Sequence, residues 1–413
     1  MGTHIVILGG GTAGTMTANR LCRTYDEHAC RITVVDQDGD HLYQPGLLFV
    51  PFGAAQPHHL VRSRPRQLHP AVDYKQARID RVDLDTRTVH LGGGIRLGYD
   101  VLVVATGATL LPEETEGLTG PGWGENVHTF YDLPGAVRLH AALQHFQGGH
   151  VVVDVADLPI KCPVAPLEFA FLADWYFQRR GIRDKVRLTY ATPLDGAFTK
   201  PVAARTLGGL LERKGIELVT EFTLGEVDGA GGRLVSYDER ELPFDLAVVV
   251  PLHGGAEYVG RSEGLGDELG FVPVDPHTLQ LPGRPEVFAI GDAAALPASK
   301  AGSVAHFEGE TLVRNIGRHL AGQPADATFD GHANCFVETG FHKALLIDFN
   351  YDTEPLPGHY PATVGLPLLK ESHANHLGKL AFEWLYWHSL LPGRELPGIG
   401  SEMPEHGKTH VPA

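Results

Sequence analysis

A strand, a glycine turn and a helix open this chain in immediate succession, and no other feature limits its fold as much. His4-Ile5-Val6-Ile7-Leu8 is an apolar run without alternation, as expected of a central parallel strand buried on both faces. Gly9-Gly10-Gly11-Thr12-Ala13-Gly14 follows, then a helical stretch to about Cys22, then a second strand from Arg31 to Val35 that ends at Asp36. This order predicts a dinucleotide-binding βαβ unit. Gly9 makes the tight turn, Gly11 lets a pyrophosphate approach the backbone, and Gly14 lets helix and strand pack closely. The helix N-terminus, with Thr12 and Ala13 at its start, faces the negative charge. Asp36 stands where a carboxylate accepts hydrogen bonds from ribose hydroxyls.

Two later segments repeat the pattern of a strand ending in a small-residue turn. Asp100-Val101-Leu102-Val103-Val104 runs into Ala105-Thr106-Gly107-Ala108, and Glu286-Val287-Phe288-Ala289-Ile290 runs into Gly291-Asp292-Ala293-Ala294. Ligands of doubly wound sheets sit at the carboxyl ends of strands, so both turns are placed to reach the same cofactor. Thr106, Gly107, Gly291 and Asp292 are therefore expected around it, with Ala77 and Lys300. The two turns resemble the ATG and GD motifs of the two-dinucleotide-binding-domain flavoproteins. That resemblance implies FAD as the cofactor, with Asp292 on its ribityl chain.

Composition narrows the class. At 413 residues the chain is too long for one ordinary core. Its 43% apolar and 20% charged content is that of a soluble globular protein. The 50 glycines fit an α/β protein with many tight turns. A net charge of −16 argues against a nucleic-acid partner, which would need a basic surface. Four widely spaced cysteines are too few for a disulfide scaffold and lack the pairing of a zinc site, so no metal is expected. Cys22 and Cys30 are expected core residues. The N-terminus runs straight into a strand without the pattern of a secretory signal, and no run of about 18 apolar residues exists to span a bilayer.

The second domain is as informative for what it lacks. Gly149-His150-Val151-Val152-Val153-Asp154-Val155 reads as its first strand, but the following turn is Ala156-Asp157-Leu158-Pro159-Ile160-Lys161-Cys162-Pro163-Val164-Ala165-Pro166. No glycine is available for a pyrophosphate, and three prolines remove N–H donors. Arg187-Leu188-Thr189-Tyr190 reads as the next strand and ends in Ala191-Thr192-Pro193, without a ribose-binding acid. The expectation is a fold retained with its NAD site lost, and Cys162 standing where the phosphates would lie. Lys161 beside it could favour a thiolate. Cys335 is the other candidate. A free cysteine can equally be an inert buried hydrophobe, so the residues alone leave both roles open.

Lys161-Cys162-Pro163-Val164-Ala165-Pro166-Leu167-Glu168, Ser299-Lys300-Ala301-Gly302-Ser303-Val304-Ala305-His306 and Cys335-Phe336 bring a family into view. Over nearly its whole length the chain resembles the sulfide:quinone oxidoreductases. The resemblance implies that Cys162 and Cys335 form a redox pair on one flavin face, taking sulfide into a persulfide or polysulfide bridge. It implies Glu168 as the proton-handling group, Lys300 beside the flavin's polar edge, and Phe336 stacked on the quinone. For Glu168 and Lys300 the alternative is an ordinary surface ion pair. The chemistry is coherent: hydrosulfide attacks disulfide-level sulfur, and a resident thiolate then passes two electrons to the flavin. The chain departs from the family at Glu125-Asn126-Val127-His128-Thr129-Phe130-Tyr131, where many members carry a third cysteine, so covalent attachment of FAD there is not expected. His128 could act nearby as an acid–base group or be structural.

Leu377 to Leu391 reads as an amphipathic helix. Leu377, Leu380, Ala381, Trp384, Leu385, Trp387 and Leu391 fall on one broad face at helical spacing, with Lys379 and Glu383 opposite. Such a helix either docks on its own core or lies in a membrane interface, where Trp and Tyr satisfy both ring and polar tip. The water-insoluble quinone and the monotopic attachment implied by the resemblance favour the membrane. Prolines at 392 and 397 would end the helix.

The expected architecture is α/β, with two Rossmann-like dinucleotide-binding domains and a C-terminal membrane-associating segment. FAD-binding segments at 1–112 and 266–330 would flank a second Rossmann-like domain at 113–265, and 331–413 would form the quinone and membrane interface. The implied partners are sulfide, a membrane quinone and the membrane surface, and a homo-oligomer is compatible. The implied location is peripheral at the cell membrane, without a signal peptide. Two other readings are a type II NADH:quinone dehydrogenase, which would need a glycine turn after Val153, and an electron-transfer subunit like the flavoprotein of flavocytochrome c sulfide dehydrogenase, an exported protein that would not need the aromatic helix.

Overall fold

Residues 2–26, 28–394 and 400–409 are described by a computed structural model. Pro397, expected to stop the last helix, lies outside them, as do parts of the expected C-terminal region. The first sheet begins with β1 (Thr3–Leu8), crosses through α1 (Thr12–Thr24) to β2 (Cys30–Asp36), and continues with β3 (Asp73–Gln76) and β4 (Val101–Val104). Ile5 to Leu8 and Val101 to Val104 are buried without exception. The unbroken apolar runs are thus covered on both faces, as central parallel strands must be.

A second sheet follows, from β5 (Val127–His128), β6 (Gly149–Val155), β7 (Val186–Ala191), β8 (Ile216–Val219) and β9 (Leu246–Val250), in the order β5-β9-β6-β7-β8 and all parallel. Helices α2 (Ala165–Arg179) and α3 (Pro201–Arg213) connect its strands. The chain then returns to the first sheet through β10 (Gln280–Leu281) and β11 (Arg284–Ala289), giving the order β10-β11-β4-β1-β2-β3. Val287 to Ala289 pair in parallel with Leu102 to Val104, so segments nearly two hundred positions apart share one sheet. The turn after β11 therefore lies beside the turn after β4.

The remainder builds a wall against both sheets. Helix α4 (Gly302–Leu320) packs along α1. The antiparallel pair β12 (Ala333–Gly340) and β13 (Lys343–Phe349) lies on α2, and after the shorter pair β14 (Gly358–Tyr360) and β15 (Leu366–Leu368), helix α5 (His373–Leu385) covers β12 and β13.

The last helix differs from the amphipathic reading in two respects. After Leu385 it becomes a π turn, Tyr386–Leu390, closed by Leu391 N–H donating to the Tyr386 carbonyl at 2.9 Å. That wider turn changes the angular phase, so Trp387 and Leu391 are buried in the main core instead of sharing the outer face. Lys379, placed opposite the apolar face, points inward and is largely covered. Leu377, Leu380 and Trp384 are the exposed side, at 63%, 53% and 64%. Among the described residues no helix is long and apolar enough to cross a membrane.

Candidate active site

The glycine turn opens into a cavity of about 1130 Å³, somewhat above the roughly 300–1,000 Å³ usual for ligand and cofactor sites. Gly9 has φ +95°, and a Cβ there would fall 2.4 Å from the Ala105 carbonyl oxygen. Gly11 faces open space, where a Cβ would meet nothing within 4 Å. It also caps α1 without any side-chain cap hydrogen bond, which leaves the helix N–H groups for an anion. Gly14 does not line the cavity: a Cβ would sit 1.9 Å from the Gly9 carbonyl oxygen, so its lack of a side chain is what lets helix and turn meet. These are the cradle and the open approach that a pyrophosphate requires, and the residues fit FAD.

Gly9, Gly11, Thr12, Ala13, Asp36, Thr106, Gly107, Gly291, Asp292 and Lys300 all line this cavity. Ala77 does not; its neighbours Arg78 and Ile79 do, while its own N–H donates to the Asp36 carbonyl at 2.8 Å. The Asp36 carboxylate accepts from Gly10 N–H at 2.6 Å and pairs with Arg64 at 3.1 Å. Lys300 is no surface ion-pair residue. Its Nζ donates to the carbonyls of Asp292 (2.9 Å) and Ala294 (2.8 Å), and burial holds its pKa below the ordinary lysine value. Nearby, buried Glu308 accepts from Gly291 N–H at 2.6 Å, and burial raises its pKa to about 7.

Cys162, Cys335, Glu168 and Phe336 line the same cavity, and both cysteines are free thiols. Three elements bring them together. Cys162 lies just before α2, at φ +48°, a left-handed conformation uncommon for a residue with a side chain. Its N–H donates to the Lys300 carbonyl at 2.7 Å, and its own carbonyl accepts from Ala165 N–H and the Tyr131 hydroxyl. Glu168 sits in the first turn of α2. Cys335 and Phe336 come from β12, and the two thiols lie within electrostatic reach of each other. Burial pushes the Cys162 thiol up to about 12, with Glu168 adding to the rise and Lys379 opposing it. Burial likewise raises Cys335. Lys161, which could favour a thiolate, donates to the Tyr131 carbonyl at 3.1 Å and lies within electrostatic reach of Cys162.

Glu168 is likewise not at the surface. It is buried, accepts Glu338 N–H at 2.7 Å and forms a close ion pair with Lys379, whose Nζ also donates to the Phe336 carbonyl. Burial raises the Glu168 pKa against the opposing pull of Lys379. Burial works against the charge on Lys379 too, but Glu168 and Glu338 outweigh it and hold its pKa above the ordinary value. Lys379 was not among the expected site residues, although its place on the polar stripe of the last helix was the available signal. Tyr386 was also missed. Its hydroxyl meets Thr12 Oγ1 and His41 Nε2, each at 2.7 Å, tying the π turn to the glycine turn. His128 stands outside the cavity lining. It is buried on β5, its Nε2 donates to the Glu125 carbonyl at 2.9 Å, and burial lowers its pKa.

Residues 3–309 match the family model of the pyridine nucleotide-disulphide oxidoreductases. The chain belongs to that family. Family membership and the fitted cradle make it an FAD-binding oxidoreductase. Among curated relatives, the mitochondrial sulfide:quinone oxidoreductase of Mus musculus is 26% identical over 397 residues, covering 94% of this chain and 86% of the relative. That of Dictyostelium discoideum is 26% identical, covering 95% and 86%. Among solved structures, the sulfide:quinone oxidoreductase of Aquifex aeolicus superposes with a TM-score of 0.80 at 20% identity, over 95% of this chain and 92% of that one, a likeness of fold.

Proposed function

We propose that this protein oxidises sulfide at Cys162 and Cys335 and delivers the two electrons, through FAD, to a membrane quinone. The observation that carries the reading is the placement of both thiols and a buried Glu168–Lys379 pair in the cavity that begins at the glycine turn. The names and lengths of the relatives agree with it.

The chain's residues supply the sulfur chemistry as follows. With the two cysteines joined, hydrosulfide attacks one sulfur; the S–S bond breaks, giving a persulfide on one cysteine and a thiolate on the other. Burial disfavours that thiolate, and the Lys379 ammonium is the cation placed to offset it at Cys162. Glu168, buried and raised in pKa, is suited to take up or release the proton involved. Bound FAD supplies the two-electron acceptor. Phe336 would present its ring to the quinone, since stacking needs only a π-face. Its ring lies against Gly378, where a Cβ would come within 2.9 Å of it.

A quinone carried in lipid also needs an entrance from the bilayer. The outward apolar side of α5, with Phe341 exposed in the β12–β13 turn and Val364 in the β14–β15 turn, supports attachment to one leaflet. The location at a cell membrane belongs to the same proposal.

The test is anaerobic mixing of the oxidised holoprotein with sulfide while flavin absorbance is followed. Bleaching is expected, and Cys162→Ser or Cys335→Ser should each reduce its rate by at least about a hundredfold, the scale for losing an essential group. Undiminished bleaching in both variants would overturn the proposal.

A further inference from the structure

Two electrons turn a quinone into a quinol only with two protons. Hydrosulfide brings one with its electron pair, so water must supply the other. The quinone end of the cavity, at Phe336, lies beneath α5, whose apolar side faces outward; seated in a lipid leaflet, that side would bar water from entering there. We propose that this proton enters through His376 and Glu338, a relay leading from the surface to the Glu168–Lys379 pair; the inference rests on the sulfide–quinone reading above.

The geometry is graded. His342, in the turn between β12 and β13, is exposed, and its ring centroid lies 5.5 Å from that of His376. His376 Nδ1 meets Glu338 Oε1 at 2.8 Å, with the two side chains 16% and 2% exposed. Glu338 in turn acts electrostatically on both Lys379 and Glu168, and its own N–H holds Glu168 Oε1. All five side chains line the one cavity. Imidazole is the side chain suited to exchanging protons with water near neutrality, and a buried carboxylate beside it is a natural acceptor.

The backbone adds an independent sign. Phe341 and His342 take φ of +54° and +59°, the left-handed pair that hairpin turns usually give to Asn-Gly. Keeping bulky residues there costs stability, and such strain gathers at functional sites. The charged groups facing α5 from its neighbours include Glu168 on α2, Glu338 on β12, Lys343 and Asp348 on β13, and His388 in the π turn. His373, Lys379 and Glu383 lie on α5 itself, His342 lies in the adjoining turn, and β15 carries none.

The experiment separates the two half-reactions in the holoprotein. Flavin is first reduced with sulfide, and its reoxidation by decylubiquinone is then followed as a function of pH. His376→Ala should leave the sulfide step intact and slow reoxidation by about tenfold or more, the low end for a proton-transfer group. The deficit should widen above about pH 7, where free protons become scarce. Added imidazole should restore the rate, and the solvent deuterium isotope effect on reoxidation should rise in the variant. His376→Asn keeps a donor to Glu338 but cannot relay a proton, so it should be as slow as alanine. Wild-type reoxidation in either variant, or recovery in Asn alone, would overturn the relay and leave sulfide oxidation standing. Failure of sulfide to bleach the wild-type protein would overturn the underlying reading and the relay with it.

Discussion

Lys379 and Glu168 sit in each other's reach with little water around either. Removing the ammonium by Lys379→Met would leave a buried carboxylate held by one backbone N–H. The expected cost is about 3 kcal/mol of stability, the scale for breaking a buried pair from one side. Adding Glu168→Gln should recover much of that loss, because the orphaned charge disappears with it; strictly additive losses in urea unfolding would contradict the coupling. Lys379→Met should also raise the Cys162 pKa further, seen as slower alkylation of that thiol at mildly alkaline pH. None of this pairing was legible in the sequence. Glu168 and Cys162 are six positions apart and could be singled out together, but Lys379 lies more than two hundred positions away. A lysine on the polar stripe of a helix ordinarily faces solvent.

Helix α5 shows why periodicity was a partial guide. The pattern correctly separated an apolar side bearing Leu377, Leu380 and Trp384 from a polar side bearing Lys379 and Glu383. Periodicity does not state what each side faces. Here the polar side turns into the cavity and the apolar side turns out, the reverse of an ordinary surface helix. The π turn was illegible for a different reason, since it is set by where Tyr386 must reach to meet Thr12 and His41. The glycine turn was legible because its demands are local: a positive φ, a near contact and an open approach fall within six consecutive residues. An apolar face left outside predicts membrane binding. Leu380→Glu combined with Trp384→Glu removes about 2–3 kcal/mol of apolar transfer energy. Cosedimentation with liposomes should fall by about thirtyfold or more, while thermal unfolding of the free protein stays unchanged. Equal binding by the double variant would show that another surface makes the attachment.

At the scale of the whole molecule, two Rossmann-like sheets meet one cavity, and their first turns have opposite chemistry. After β1 the turn offers an uncapped helix terminus and a glycine open to a ligand. After β6 several of the corresponding N–H groups are already committed within the protein. Ala156 N–H donates to the Val250 carbonyl, Leu158 N–H to Asp157 Oδ1, and Cys162 N–H to the Lys300 carbonyl; residues 159, 163 and 166 are prolines with no N–H to give. The Ala156 carbonyl accepts from Leu224 N–H, and His253 N–H donates to the Pro159 carbonyl. A pyrophosphate arriving there would find its donors interrupted by prolines and by these bonds, each costing about 1 kcal/mol to break. NADH should therefore neither bleach the flavin nor protect the fold. Added in large excess over the usual dissociation constants of dinucleotide sites, a true ligand would raise unfolding stability by about 2–4 kcal/mol through mass action. The expected shift in thermal midpoint with NADH is nil, whereas FAD returned to the stripped protein should raise it clearly. Protection by NADH without bleaching would mean that the second sheet still holds a nucleotide away from Cys162, and bleaching by NADH would restore the dehydrogenase reading that the proline-rich turn argues against.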